Sequence, residues 1–193
     1  MDQIRKQIEE SISLKKKVLD DDSFIKTIEA AADLCVDSLK NNHKILFAGN
    51  GGSAADAQHL AAELVNKFGF DRPGLASIAL TTDTSIITSI SNDYGFERLF
   101  ARQIESLGQK GDVLIAFSTS GGSVNIIEGI KEAHFRGLKV IGLTGKFTGK
   151  MSPYCDICIS VPSEDTPRIQ ELHIMTGHII CSIIENKMFS RTN

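Results

Sequence analysis

Three of the chain's five histidines stand near carboxylates or amides on two stretches that read as helix. His59 and Glu63 lie in "GNGGSAADAQHLAAEL" (Gly49–Leu64), and His173 and His178 lie with Gln170 and Glu171 in "RIQELHIMTGHII" (Arg168–Ile180). His59 and Glu63 are one helical turn apart and share a face. An imidazole and a carboxylate at that spacing can bind one metal ion, or set a base beside the partner that orients it. The pattern is not the H-E-x-x-H of zinc proteases, because it holds one histidine. Alone, it reads equally as a surface pair worth a few tenths of a kcal/mol. On the second helix, 100° per residue puts Glu171 within about 20° of His178 and Gln170 about 80° away. That azimuth nominates Glu171 as the partner of His178 without excluding Gln170. His178 also reads as a core histidine among Ile174, Ile179 and Ile180.

A second kind of chemistry is offered by "STSGGS" (Ser118–Ser123). Ser118, Thr119, Ser120 and Ser123 supply hydroxyl donors, and Gly121 and Gly122 let backbone N–H groups approach an anion closely. The helix expected after it aims its positive end at the same place, so a phosphate fits there without an arginine. The loop lacks the G-K-[ST] of a Walker A loop and the G-x-G-x-x-G of a dinucleotide fingerprint. Four hydroxyls in six residues favour phosphate over an ordinary polar turn. The glycine turn "GNGGS" (Gly49–Ser53) is its counterpart: Asn50 and Ser53 can bond sugar hydroxyls, and the glycines let a ligand lie against backbone. Asn92 and Asp93 in "SNDYGF" either bind sugar hydroxyls or make a turn. Arg168 is open between a phosphate and a carboxylate. Cys155 and Cys158 form a C-x-x-C, but no second pair completes a zinc site. "YCDICISV" reads as a strand, where residues three apart face opposite ways, so both read as small packed residues. Cys35 and Cys181 lie on apolar helix faces and read as core, and His43 and His134 as surface or capping residues near helix ends.

The elements that must position these groups alternate. Residues 3–41 read as helix, with Ile4, Ile8, Ile12 and Leu14 as an apolar stripe, a polar break at Asp20–Ser23, and a repeat of the pattern from Phe24 to Leu39. "KILFAG", "LASIALTT", "GDVLIAFS", "LKVIGLTG" and "DICISVP" read as five strands, with helices after the first, the second (near Thr84–Ser91), the third ("VNIIEGIKEAHFRG") and the fifth (Pro167–Phe189). Thr166 or Asp165 can cap the last helix. Strands alternating with helices imply parallel pairing and right-handed crossovers. The expected fold is α/β: a three-layer αβα sandwich on a five-stranded parallel sheet of flavodoxin-like type, with an N-terminal helical extension. No linker separates domains, so residues 1–193 are expected to form one domain, with helices over 1–41 and a ligand-binding core over 42–193. Ligands of such sheets bind outside the carboxyl ends of the strands, where both small-residue turns lie.

"GNGGSAADAQHLAAEL", "SNDYGF", "GDVLIAFSTSGGS", "VIGLTGK" and "RIQELHIMTGHII", in this order, resemble the sugar isomerase (SIS) domain family, and within it the phosphoheptose isomerases. The resemblance runs from about residue 44 to 180. It implies interconversion of sedoheptulose 7-phosphate and D-glycero-D-manno-heptose 7-phosphate, feeding heptose into lipopolysaccharide or capsule. It further implies a homotetramer with pockets shared between subunits. Carried onto matching positions, Ser118, Thr119, Ser120 and Ser123 hold the phosphate, and Asn50, Gly51, Gly52, Asn92 and Asp93 hold the sugar, beside Ser53 from the reading above. His59, Glu63, Gln170 and His178 match a zinc site, one ion per subunit, with Gln170 also at the substrate; here the family selects Gln170 over Glu171. Glu63 and His178 match the catalytic pair. A family member that binds a bacterial replication initiator lacks that pair, so its presence here favours an enzyme over the alternative, a non-enzymatic protein that binds a phosphosugar or such a partner.

The chain as a whole is consistent with this. It has 193 residues, 41% hydrophobic and 23% charged, with a formal charge of -3. That charge argues against nucleic acid or an anionic membrane as the main partner. No apolar run reaches the 18 or so residues of a membrane span, and "MDQIRKQIEE" lacks a signal-peptide core. A cytoplasmic protein is expected.

Overall fold

The structure, a computed structural model, describes residues 1–189. Two helices come first, α1 (Asp2–Leu19) and α2 (Asp22–Lys40). The break between them has a local cause: the Asp21 carboxylate accepts from the N–H groups of Ser23 and Phe24, capping α2. Five strands follow: β1 (Ile45–Ala48), β2 (Ser77–Ala79), β3 (Val113–Ser118), β4 (Lys139–Thr144) and β5 (Ile157–Ser160). All pair in parallel, in the order β2-β1-β3-β4-β5. The remaining helices are α3 (Gly52–Val65), α4 (Thr84–Tyr94), α5 (Leu99–Leu107), α6 (Val124–Phe135) and α7 (Thr166–Met188).

Successive strand residues point to opposite faces, and this splits the core in two. Ile45, Phe47, Val113, Ile115, Phe117, Ile141 and Leu143 pack beneath α2, α3 and α7. Leu46, Ala48, Leu114, Ala116 and Val140 pack beneath α5 and α6. The central strands β1, β3 and β4 are buried on both faces, apart from Lys139 at the start of β4, which is why they read as continuous apolar runs, while the edge strands β2 and β5 are partly exposed. No helix among the described residues is long and apolar enough to cross a membrane.

Several expectations change. The segment before β3 holds a helix, α5, that the sequence reading passes over. The apolar stripe of α1 is not packed in the chain: Ile4, Ile8 and Ile12 are exposed, while Leu14 reaches the core. Asp165 takes the N-cap position of α7 but makes no side-chain cap bond. Cys155 precedes β5, on the residue that closes a 3-10 turn over Ser152–Tyr154, so it does not alternate with Cys158 along a strand. The two thiols instead interact. This interaction and burial raise Cys155 far above the ordinary thiol range, while Cys158 is lowered to about 7, by Cys155 first and Ser152 next, against burial. Cys35 and Cys181 are buried as expected.

Candidate functional site

The sheet order locates the crevice. Connections leave β1 and β3 in opposite directions, so a cleft opens between the carboxyl ends of those two strands. The turn Gly49–Ser53 follows β1 and the loop Ser118–Ser123 follows β3. A reciprocal amide pair ties them: Asn50 Nδ2 donates to Asn125 Oδ1 at 2.9 Å, and Asn125 Nδ2 donates to Asn50 Oδ1 at 2.8 Å. Asn125 is buried in the first turn of α6. Each amide keeps one N–H and one lone pair for other partners. The sequence reading missed Asn125; the signal was a lone amide among the apolar residues of "VNIIEGI".

In the hydroxyl loop, Ser118 Oγ and Ser123 Oγ are 3.0 Å apart and the Gly122 N–H donates to Ser120 Oγ at 3.2 Å. Gly121 has φ 62°, and an added Cβ would lie 2.2 Å from the Thr148 carbonyl oxygen, so the turn accepts no larger residue. Ser123 stands at the N-cap of α6 but makes no side-chain cap bond, and Gly51 leaves α3 equally uncapped. The N-terminus of α6 therefore presents N–H groups that no side chain caps, the arrangement that binds an anion, whereas at α3 the N–H groups of Ser53 and Ala54 already donate to the carbonyls of Asn50 and Gly51. Thr119 passes its carbonyl to the Gly145 N–H, which fixes the loop to the end of β4. Ser53 is buried under the glycine turn, while Gly51 and Gly52 are exposed. Asn92 and Asp93 lie in the last turn of α4 rather than in a turn, both exposed, with Asn92 Nδ2 donating to Asp93 Oδ1 at 2.8 Å.

Helices α3 and α7 bring the histidine and carboxylate chemistry together. His59 Nε2 lies 2.9 Å from His178 Nε2 and 3.2 Å from Glu63 Oε1. One ligand atom from each of the three residues lies within 4.8 Å of the others. The approach is possible because α7 carries Gly177 next to His178: a Cβ there would sit 2.3 Å from Leu60 Cδ1 on α3. Two bare imidazole lone pairs cannot face each other at 2.9 Å without a proton or a cation between them. Two imidazoles and a carboxylate are also a donor set suited to zinc, so the residues fit a metal ion. The His59 side chain is 52% exposed and that of Glu63 22%, so the cluster opens to solvent in the isolated chain. Near His59, Asp56 Oδ2 is buried with no partner among the described residues; burial raises its pKa and His59 opposes the rise.

The helical-wheel nomination of Glu171 is overturned. Its carboxylate accepts from Ser11 Oγ at 2.7 Å and pairs with Arg168 Nη2 at 2.7 Å, facing α1. Azimuth ignores axial position: residues 171 and 178 are about 10 Å apart along α7, and α1 covers only the first of these levels. Arg168, whose Nη1 donates to the Gln7 carbonyl at 2.7 Å, thus serves carboxylate and backbone partners. Gln170 lies at the glycine turn, its Nε2 2.7 Å from where a Gly52 Cβ would be. His173 is a different kind of histidine. It is buried against the Phe117 ring, its Nε2–H donates to the Thr144 carbonyl at 3.2 Å, and its Nδ1 has no partner among the described residues. Burial lowers its pKa to about 4, against the pull of that hydrogen bond.

Known proteins resemble this chain in sequence and fold over most of its length. The SIS domain family matches residues 8–145. A phosphoheptose isomerase of Aneurinibacillus thermoaerophilus is 53% identical over 188 residues, which span 97% of this chain and 95% of its own. The solved structure of phosphoheptose isomerase from Neisseria gonorrhoeae superposes with a TM-score of 0.90 at 44% identity, over 96% of this chain and 98% of that one. The one from Francisella tularensis superposes with a TM-score of 0.92 at 39% identity, over 96% and 97%.

Proposed function

The chain belongs to the SIS domain family, and from that membership and the crevice geometry we infer that it is a phosphoheptose isomerase. The reaction converts sedoheptulose 7-phosphate to D-glycero-D-manno-heptose 7-phosphate and supplies heptose for lipopolysaccharide or capsule. The observation that carries this reading is the meeting of His59, Glu63 and His178 where α3 packs on α7, in a chain that also carries a phosphate-type loop after β3.

Aldose–ketose isomerisation moves a proton between carbons one and two through a cis-enediol. It needs a base at carbon and an acid/base at oxygen. Glu63 removes the carbon-bound proton and returns it to the neighbouring carbon. His178 moves protons at the oxygens, including the one released when the sugar ring opens. Ser118, Thr119, Ser120 and Ser123, with the N-terminus of α6, hold the phosphate far from the reacting carbons. That binding orients the open-chain sugar and makes no bond. Asn50, Gly51, Gly52, Ser53, Asn92, Asp93 and Gln170 hold the sugar hydroxyls. His59, Glu63 and His178 are the residues that would hold one zinc ion, which supplies polarisation of the carbonyl and hydroxyl pair. Gln170, at the glycine turn, would be the fourth ligand, and the opening of the cluster to solvent leaves room for a second copy beside it. That fits a homotetramer with shared pockets, for which the exposed isoleucines of α1 offer an apolar contact face. We place residues 1–193 in one SIS domain, acting in the cytoplasm.

The test is solvent exchange. With sedoheptulose 7-phosphate in deuterium oxide, the protein is expected to form the aldose and to label the carbon next to the carbonyl. Glu63→Gln is expected to lose both while binding the sugar phosphate within a few-fold of the native protein. Full labelling by Glu63→Gln would remove the base assignment. Tight binding with no turnover by the native protein would leave a phosphosugar-binding protein instead.

A further inference from the structure

After α3 ends at Val65, the chain turns back toward β2, and Arg72 from this turn folds its side chain inward. The side chain is 1% exposed. Its Nη2 donates to the Glu63 carbonyl at 2.8 Å, and its Nη1 donates to those of Leu64 at 2.6 Å, Asn66 at 3.1 Å and Pro73 at 3.0 Å. The carbonyls of Glu63 and Leu64 belong to the last turn of α3, where a helix leaves carbonyls without partners and favours a cation. The remaining donor, Nε, reaches Glu185 Oε1 of α7 at 3.1 Å. Glu185 is itself 2% exposed and also accepts from the N–H groups of Phe68 at 2.8 Å and Gly69 at 2.7 Å. One guanidinium and one carboxylate thus join the end of α3 to α7.

The residues joined are those next to the chemistry. Glu63, whose carbonyl Arg72 holds, carries the cluster's carboxylate. Glu185 lies seven residues after His178, two turns along the same side of α7. Phe68, whose N–H Glu185 holds, places its ring 5.7 Å from the His178 ring, centroid to centroid. Replacing a buried ion pair with apolar groups of similar volume is often neutral or stabilising. Stability therefore gives no strong reason for a buried pair here, whereas direction does: the planar fork of arginine addresses five acceptors at set angles.

We propose that Arg72 and Glu185 are positioning residues for the isomerase reaction, fixing Glu63 relative to His178 through the end of α3 and the Phe68 contact. Neither touches the substrate. The role rests on the isomerase reading, and the experiment separates the two.

Three variants are compared with the native protein: Arg72→Lys, Glu185→Gln and the double variant R72M/E185L. The readouts are kcat and KM for the sugar phosphate, Zn2+ affinity by titration of the metal alone, and the thermal midpoint. The double variant is expected to unfold cooperatively within a few degrees of the native protein. Its kcat and Zn2+ affinity are expected to fall about 10–100-fold, the range for losing a partner that orients a ligand, with KM changing less than about threefold. Arg72→Lys keeps the charge and loses the fork, so it is expected to follow the same pattern more weakly, about tenfold. Glu185→Gln, which keeps volume, answers the question if the double variant does not fold. Native kcat and Zn2+ affinity in any folded variant of the three would overturn the proposal, as would a loss confined to KM. A native protein that turns over no sugar phosphate would instead overturn the isomerase reading.

Discussion

The hydroxyl loop and the histidine–carboxylate cluster are built in opposite ways. Ser118–Ser123 is contiguous, and its internal bonds span at most five residues. The cluster joins His59 to His178 across 119 positions and exists only when α3 and α7 are docked. The loop's hydroxyls are set locally by a strand end and a helix start, with outside ties only to its backbone, from the N–H groups of Gly145 and Met151. The cluster is a tertiary solution whose accuracy depends on everything that sets the spacing of two helices. Binding should therefore tolerate change that turnover does not.

The sharpest way to break this contrast is at His178. His178→Gln is expected to lower kcat by about 10²–10⁴-fold, the usual worth of a positioned acid/base, while sugar-phosphate binding measured by calorimetry stays within a few-fold. Equal losses in binding and turnover would show that loop and cluster act as one unit.

The next effect is a pH dependence. His173 anchors α7 to the end of β4 while neutral. In the unfolded chain it takes a proton near pH 6.5, in the folded one only near 4. The unfolded state binds more protons between those values, so stability falls as pH drops from about 6.5 to 4, by about 3 kcal/mol. His173→Gln keeps an N–H donor and cannot titrate, so its chemical denaturation midpoint is expected to vary less over that window. An unchanged slope would remove His173 as the acid-sensitive anchor of the helix that carries the cluster.

On the loop side, Ser118→Ala and Ser123→Ala are each expected to raise KM about tenfold, as loss of a hydrogen bond to a charged group of about 1.5 kcal/mol implies. Their kcat is expected to stay within about threefold, and a kcat loss larger than the KM change would count against a purely local loop. The smallest effect belongs to Glu171→Gln. Glu171 faces α1, so Zn2+ affinity and turnover are expected to change less than about twofold; a larger loss would bring back the azimuthal reading.

The same contrast explains what was legible. All five strands could be read: burial on both faces writes β1, β3 and β4 as apolar runs, and the half-buried edge strands β2 and β5 are short runs bounded by small or polar residues. The hydroxyl loop could be read for the same reason: its chemistry and its geometry share six consecutive residues. His59 and Glu63 could be paired from spacing, since one helix turn joins them. Their union with His178 rested on resemblance, because periodicity gives a residue's azimuth on its helix and nothing about which neighbour crosses at which level. Glu171 shows the cost of that gap. Arg72 and Glu185 left no trace as charged residues in an ordinary polar loop and near a helix end. Asn125 left only a polar interruption. Helix α5 and the placement of Cys155 were lost because short elements carry too few residues to establish a period.

Gly177 has a consequence for how the molecule comes apart. With Leu60 filling the place of its missing side chain, the two helices lie closer than any side chain at that position would allow. Such a seam is either closed or open, like a latch without intermediate notches. In a calorimetric scan of the zinc-loaded protein, release of the ion and melting of the seam should arrive as a single event, and a glycine-to-alanine change there should spring the latch before any donor atom has been altered.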